Sequence, residues 1–254
     1  MSSQKLSIIT VSLNAAENIQ QAIKSVASQT DVFIEHIICD GHSMDGTQEI
    51  IEKHLELNSH IKYISEKDRG IYEAINKGIR MANGSIIGIL NADDFYVNDT
   101  VLKKVLDQFE IDPSIDIVYG DLNYVHKLSP SKIFRKWVSK NYYDNFFEDG
   151  NDLPHPTMFV RKEVFEKIGN YNTSLKIASD YEWMLRALKV NQIKSKYIPI
   201  LMINMRLGGV SNKSLLNVIR QNLEVLNAWK INGLKPNILV IVKKLLLKVR
   251  QIKF

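Results

Sequence analysis

Short apolar runs alternate with segments of helical apolar spacing through the first ninety or so positions, and this alternation restricts the fold more than any other feature of the chain. Lys5-Leu6-Ser7-Ile8-Ile9-Thr10-Val11-Ser12-Leu13 reads as a first strand. A helix follows in which Ile19, Ala22, Ile23 and Val26 recur at i, i+3, i+4 and i+7, capped by Asn14 or Asn18. Ile34 to Cys39 gives a second strand, and Thr47 opens a second helix behind the loop His42 to Gly46. Ile61 to Ser65 is a third strand, Tyr72, Ile75 and Ile79 mark a third helix stopped at Asn83-Gly84, and Ile86 to Leu90 is a fourth strand. Strands joined through helices imply βαβ crossovers, hence an α/β fold on a parallel sheet.

A parallel sheet brings the carboxyl ends of its strands to one edge, the rim where ligands bind. The polar residues sit at those ends: Thr10, Ser12 and Asn14; Asp40; Glu66 and Asp68; and Asn91-Ala92-Asp93-Asp94. Adjacent carboxylates repel, so a site that keeps Asp93 and Asp94 ionised calls for a divalent cation serving a phosphorylated substrate. The alternative is a turn, with the acids starting a loop or capping the helix near Thr100. Four strand ends converging on one edge favour the site. No G-x-G-x-x-G follows the first strand and no G-x-x-x-x-G-K-[ST] occurs, so phosphates here would be neutralised by metal.

Composition excludes several classes. The net charge of +5 is a tail effect: Lys235, Lys243, Lys244, Lys248, Arg250 and Lys253 occur there without an acid, which leaves a near-neutral body and argues against a nucleic-acid surface. Cys39 is the only cysteine, so there is no disulfide framework or Cys-rich zinc site, as suits a reducing cytoplasm. No apolar run is long enough to span a bilayer, and the opening segment, a faint mimic of a signal peptide, is read as a strand.

Beyond a helix at Val101 to Phe109 and a strand at Ile115 to Tyr119 the pattern is mixed. Ile133 to Val138 alternates imperfectly, and Tyr142 to Asp152 reads as an aromatic, acidic loop able to contact a sugar. His155, between Pro154 and Pro156, has a fixed, non-helical backbone. Lys162 to Ile168 is a helix stopped by Gly169, and Ser179 to Leu188 another, with Asp180 at or near its N-cap.

These residues match a known pattern. Ser7 to Asn14, Asp40 to Thr47 (D-G-H-S-M-D-G-T), Glu66 to Tyr72, Asn76-Lys77-Gly78, Asn91-Ala92-Asp93-Asp94 and Ser179-Asp180-Tyr181 together resemble the family 2 inverting glycosyltransferases over Ser7 to about Ser211. The subgroup most similar builds bacterial surface polysaccharides such as O-antigen. The resemblance implies a GT-A fold: a Rossmann-like, mostly parallel central sheet flanked by helices, with a smaller mixed acceptor-side region and C-terminal helices. It implies a catalytic domain over 1–211, with a nucleotide-sugar-binding half at 1–121 and an acceptor-side half at 122–211, and a helical extension at 212–254. Asp40 then resembles the acid that reads the donor base, with Thr10, Ser12 and Asn14 beside it, and Asp68 and Arg69 look like nucleotide and diphosphate contacts. Asn91-Ala92-Asp93 resembles the D-x-D motif with Asn in place of its first acid. Asp93, helped by Asp94, would hold Mn2+ or Mg2+. Asp180 resembles the catalytic base, His155 an acceptor-side wall, and Gly208-Gly209-Val210-Ser211 a loop that folds over the diphosphate. The donor implied is a nucleotide-sugar, UDP foremost with GDP and dTDP open, and the acceptor a lipid-linked glycan.

The residue types suit that chemistry. A metal at Asp93 offsets charge on the leaving diphosphate, and a carboxylate base takes the acceptor proton in a single displacement, with no covalent nucleophile required. A nucleotidyltransferase would carry a Gly-rich basic loop after the first strand, where Asn14-Ala15-Ala16-Glu17 stands instead; a catalytically silent sugar-nucleotide-binding partner would lack Asp93 or Asp180. In the tail, Ile238, Ile241, Val242, Leu245, Val249 and Ile252 form one stripe, with Lys243, Lys244, Arg250 and Lys253 elsewhere on the wheel. Such a basic amphipathic helix lies on anionic membrane, giving a peripheral protein at the inner face of the cytoplasmic membrane, or packs on the protein or on a second copy as a homodimer. Leu215 to Trp229 is a separate helix assigned to the body.

Overall fold

The computed structural model describes residues 5–208 and 215–250. Gly209-Val210-Ser211 of the expected mobile loop and Ile252 and Lys253 of the tail lie outside the described residues, as do the side chains of Lys248, Val249 and Arg250. The expected alternation is present: β1 (Lys5–Ser12), α1 (Ile19–Ala27), β2 (Phe33–Asp40), α2 (Thr47–Leu55), β3 (Ile61–Ser65), α3 (Ile71–Met81) and β4 (Ile86–Ile89). These four strands pair in parallel in the order β3-β2-β1-β4. Ile8, Ile9, Ile37 and Ile38 are wholly buried between helical layers, as the two-sided burial of a parallel sheet requires.

The motif Asn76-Lys77-Gly78 explains how α3 seats on this sheet. A methyl group at Gly78 would collide with Ile9 of β1, so glycine lets the helix press directly on the strand. Asn76 exchanges two hydrogen bonds with the Tyr171 backbone, donating to its carbonyl at 2.8 Å and accepting from its amide at 3.0 Å.

The chain continues through β5 (Phe95–Tyr96), α4 (Val101–Ile111), β6 (Ile117–Val125), β7 (Ile133–Trp137), a 3-10 turn (His155–Thr157), β8 (Phe159–Arg161), α5 (Lys162–Ile168) and α6 (Ser179–Met184). A π-helical segment (Leu185–Val190) prolongs α6, and β9 (Ser195–Arg206), α7 (Leu215–Ile231) and α8 (Ile238–Arg250) follow. The sheet runs on from β4 as β8-β6-β9-β5, with β7 paired to β6. β8 is antiparallel to β4 and β6, and β9 is parallel to β6.

Three expectations change. The strand expected at Ile115 to Tyr119 is β6, which starts at Ile117 and crosses the expected 121/122 division, so the two halves share one strand and one sheet. The Tyr142 to Asp152 loop does not offer its aromatic rings to solvent as a group: Phe146 and Phe147 are 1% and 0% exposed, and Phe147 meets Tyr181 edge-on at 5.5 Å. Finally, α8 packs on the body as well as α7, because Val240 and Ile241 join Val225, Ala228 and Trp229 in the main core. Gly150, at φ +77, holds a conformation that side-chain-bearing residues avoid and lies where a Cβ would strike the α8 backbone at Lys243 and Lys244.

Candidate active site

Strand register builds the first part of the rim. Ser12 lies opposite Asp40, and Asp40 opposite Ser65, so one carboxylate stands between two hydroxyls. Ser12 Oγ donates to Asp40 Oδ1 at 2.8 Å and Ser65 Oγ to Oδ2 at 3.1 Å. The Ser43 amide and hydroxyl add bonds of 2.8 and 2.5 Å. The Asp40 carboxylate, wholly buried, therefore has its acceptor positions filled by protein. Loops 13–16 and 41–47 are laced together: Asn14 N donates to Ser43 Oγ, Ala15 N to Thr47 Oγ1, Ala16 N to Asp45 Oδ2 and Met44 N to Asn14 Oδ1. Asn14 and His42 take left-handed backbones, φ 50 and 65, to allow this. Thr10 is turned away from the rim: its hydroxyl is buried 2.8 Å from His36 Nε2.

Pairing beyond β4 carries the chain upward, with Leu90 N donating to the Ile9 carbonyl and Ala92 N to that of Val11, which sets Asp93 beside the end of β1. The two acids then part company. Asp94 faces inward at 0% exposure, accepting from Asn91 Nδ2 at 3.0 Å and from Arg206 N at 3.2 Å. Burial, and then the adjacent Asp93 charge, push its carboxyl well above the usual carboxylate range. Asp94 thus braces the turn and is not presented as an open metal ligand, whereas Asp93 is half-buried at the rim. Arg206 locks the arrangement from the end of β9, donating to the Asp93 carbonyl at 2.5 Å and to the Gln21 carboxamide, with its guanidinium 4.9 Å from the Phe95 ring centroid. Among the described residues no three His, Cys, Asp or Glu side chains form a metal cage. Asp93 is the one carboxylate of the pair that could hold a divalent cation, which would then have to draw its remaining oxygen ligands from elsewhere.

The loop after β3 supplies a third edge. Lys77 of α3 pairs with Asp68 at 2.8 Å and Glu66 at 2.7 Å, fixing the loop by its own helix. Asp68 Oδ2 is buried with no protein partner. Arg69 is exposed and forms an i, i+4 pair with Glu73.

Asp180 reaches this edge from far along the chain. The N-cap of α6 is Ala178, which has no capping side chain, so Asp180 is not the cap. Its Oδ1 instead accepts from the Tyr181 amide at 2.8 Å and lies 3.1 Å from Tyr72 OH, in the first turn of α3, whose single proton is shared with the Ile177 carbonyl at 2.8 Å. Glu224 of α7 holds the segment leading into the helix, its carboxylate taking the amides of Ile177 and Ala178 at 2.8 and 2.9 Å and that of Lys176 at 3.0 Å. His155 lies beside this group, Nε2 2.8 Å from Tyr171 OH, and burial lowers its pKa against the opposing pull of Asp180 and Asp152.

The carboxyl ends of the four parallel strands and the loops after them thus carry Ser12, Asn14, Asp40, Asp68, Arg69, Asn91, Ala92 and Asp93, while Asp180 neighbours Tyr72, His155 neighbours Tyr171 and Gly208 follows Arg206 by two residues. Gly209 lies outside the described residues. Sequence reading missed Arg206, Glu224 and Tyr72. Arg206, next to the Leu207-Gly208 turn at a strand end, was open to notice; Glu224 carries no local signal.

This architecture has known counterparts. Residues 7–169 match Glycosyl transferase family 2. A PGL/p-HBAD biosynthesis glycosyltransferase of Mycobacterium bovis (strain BCG / Pasteur 1173P2) is 29% identical over 215 residues, 84% of this chain and 81% of its own length. The mannosyltransferase PcManGT from Pyrobaculum calidifontis, solved with GDP-Man and Mn2+, superposes with a TM-score of 0.66 at 17% identity, over 91% of this chain and 64% of that one. S. aureus TarS, solved with UDP-GlcNAc, gives 0.69 at 16% identity, over 90% of this chain and 65% of that one. The chain therefore spans just under two thirds of either solved chain, and at these identities the likeness shows the fold, that of the GT-A glycosyltransferases. Since the matched segment takes in all four parallel strands and the rim they form, the chain belongs to Glycosyl transferase family 2.

Proposed function

We propose that this glycosyltransferase moves a sugar, with inversion, from a nucleotide-diphosphate sugar to a hydroxyl of a lipid-linked glycan in O-antigen-like surface polysaccharide synthesis. What supports the reading is that two carboxylates from distant segments each neighbour the carboxyl ends of the parallel strands: Asp93 follows β4 beside the end of β1, and Asp180 lies 3.1 Å from Tyr72 in the first turn of α3, the helix that follows β3. They suit opposite tasks. Asp180, half-buried and hydrogen-bonded on one oxygen, is placed to take the proton of an attacking hydroxyl. Asp93 would share Mn2+ or Mg2+ with the donor phosphates, and the ion would supply charge neutralisation at the leaving diphosphate. PcManGT was solved with Mn2+, which supports the metal.

The donor base sits over the laced loops near Ser12, Asn14 and Asp40; because Asp40 is saturated, a base that reads it must displace a bond from Ser43 or Ser65. Asp68, with an unpartnered buried oxygen, and Arg69 line the path to the phosphates. UDP is the first candidate nucleotide, supported by the UDP-GlcNAc complex of TarS. Among the described residues no helix is long and apolar enough to cross a membrane. Docking at the inner face of the cytoplasmic membrane is assigned to α8, which exposes Ile238, Leu239, Val242, Leu245 and Leu246 beside Lys243.

Calorimetric titration of UDP, GDP and dTDP with Mn2+ tests the donor site. One nucleotide binds to the wild type and its metal-dependent binding is lost in Asp93→Ala, while Asp180→Asn binds it normally but does not transfer. Failure of all three nucleotides to bind, or full transfer by Asp180→Asn, refutes the assignment.

A further inference from the structure

A second concavity, of about 200 Å3, opens between β7, the loop 146–152 and α8. At roughly 30 Å3 per water that is space for about seven waters, or for a single sugar ring. Its walls include Arg135, Trp137, Ser139, Lys140, Asp152 and Lys244, three cations against one carboxylate. The carboxylate is already committed, since Lys244 Nζ pairs with Asp152 at 2.5 Å while lying 4.4 Å over the Tyr181 ring.

Arg135 is different. Its side chain is 9% exposed, its guanidinium stacks 3.9 Å from the Tyr124 ring centroid and lies 5.7 Å from that of Trp137, and no carboxylate among the described residues reaches ion-pair distance. A buried cation without a counter-ion is costly unless a ligand supplies one. A second, independent observation lies in the same wall: Ser139, also 9% exposed, has a buried hydroxyl with no hydrogen-bond partner, although its amide is held by Asp121 at 2.8 Å. Lys140 completes the wall at the exposed mouth.

The cavity adjoins the catalytic side of the rim. Tyr181, under Lys244, follows Asp180 directly, and Asp152 on the cavity wall is close enough for its charge to act on His155.

We propose that this cavity is an acceptor subsite for a sugar that carries an anionic group, phosphate or carboxylate, with Arg135 and Lys140 as its counter-charges and Ser139 as its hydrogen-bond donor. The assignment rests on the glycosyl-transfer reading, since it is that reaction which calls for an acceptor here. Trp137 would lie against the ring itself, as aromatic faces do with the apolar faces of sugars.

Ligand-observed NMR on the full chain, saturated with UDP and Mn2+, tests this with glucose 1-phosphate, glucuronate and neutral methyl glucoside. Both anionic sugars bind alongside UDP, and methyl glucoside binds at least about ten-fold more weakly, the factor expected of one charge-assisted contact. Arg135→Gln and Lys140→Gln each weaken the anionic sugars about ten-fold and leave UDP binding unchanged. Lys140 is exposed, so that variant keeps the test valid if Arg135→Gln fails to fold. Equal binding of the neutral sugar, displacement of the anionic sugars by UDP, or undiminished binding in Lys140→Gln overturns the proposal. Anionic sugars that bind through Arg135 and Lys140 to a chain that takes no nucleotide uphold the cavity and refute the donor reading instead. If phosphate and carboxylate both bind, their relative affinities show which group the subsite prefers.

Discussion

Replacing Glu224 with Ala probes the link between the C-terminal helices and the proposed base. The side chain is 13% exposed and accepts three consecutive amides just ahead of α6, whose own N-cap, Ala178, has no side-chain acceptor. Each buried amide left unmade costs about 1–3 kcal/mol, but water entering the vacated space recovers part of this, so the expected loss of stability is about 2–4 kcal/mol. The Arg220 pair at 3.9 Å, with arginine 63% exposed, adds little. Asp180 lies two residues beyond the last of these amides, and a shift of about 1 Å at a reacting group lowers turnover about 100-fold. The loops of the proposed donor site are held by other bonds, so kcat is expected to fall while the donor KM stays within about two-fold. Glu224→Gln keeps an acceptor oxygen and recovers most of the rate. Denaturant unfolding and nucleotide release under saturating donor measure the two effects. Wild-type turnover in Glu224→Ala, or a donor KM that rises as far as kcat falls, would show that the helix does not position Asp180.

Further predictions concern pH and the membrane. His36 is fully buried and its pKa is depressed to about 3, chiefly by desolvation, so the unfolded chain takes up a proton below pH 6.5 that the folded chain refuses. Its contribution to stability is complete above pH 6.5 and falls by about 1.4 kcal/mol per pH unit towards pH 3. Glu35, held down to about 2 by Ser7, Lys62 and the amides of Asn83 and Gly84 against its burial, adds a second decline below pH 4.5. Denaturation midpoints at pH 7, 6 and 5 for wild type and His36→Gln isolate the first effect; parallel slopes would rule it out. Val242→Asp combined with Leu246→Asp, both exposed positions on α8, is expected to leave unfolding unchanged and to reduce binding to anionic vesicles about ten-fold or more. Unchanged vesicle sedimentation would remove α8 as the membrane contact.

The parallel half was legible because its strands and helices differ in apolar spacing and end at polar residues: β3 (Ile61–Ser65) has the expected bounds and α2 opens at Thr47, and further along α5 (Lys162–Ile168), stopped by Gly169, has them too. The strand-end polar residues could be placed on one edge for the same reason. What could not be read were pairings made between distant segments. β6 reaches Val125 because β9, far along the chain, offers it a parallel partner, and nothing local to Leu122 announces that. Asp93 and Asp94 look equivalent in sequence; the Arg206 amide and Asn91 decide which turns inward. Phe146 and Phe147 resembled a surface aromatic loop because their partner, Tyr181, lies in another segment. The tail pattern was misdivided in the same way: Ile241 of the expected membrane stripe is buried in the core, Lys244 of the expected polar face is buried against Asp152, and Leu239 and Leu246, outside that stripe, are exposed.

The dependence of α6 on Glu224 also orders events during synthesis. The strands β1 to β4 and their crossovers are synthesised before β9 and α7, so Arg206, which holds the Asp93 turn, and Glu224, which accepts the amides ahead of Asp180, both arrive late. A nascent chain therefore has its parallel strands in hand before either proposed acid is fixed, and a chain truncated ahead of α7 lacks the carboxylate that holds the segment leading to Asp180.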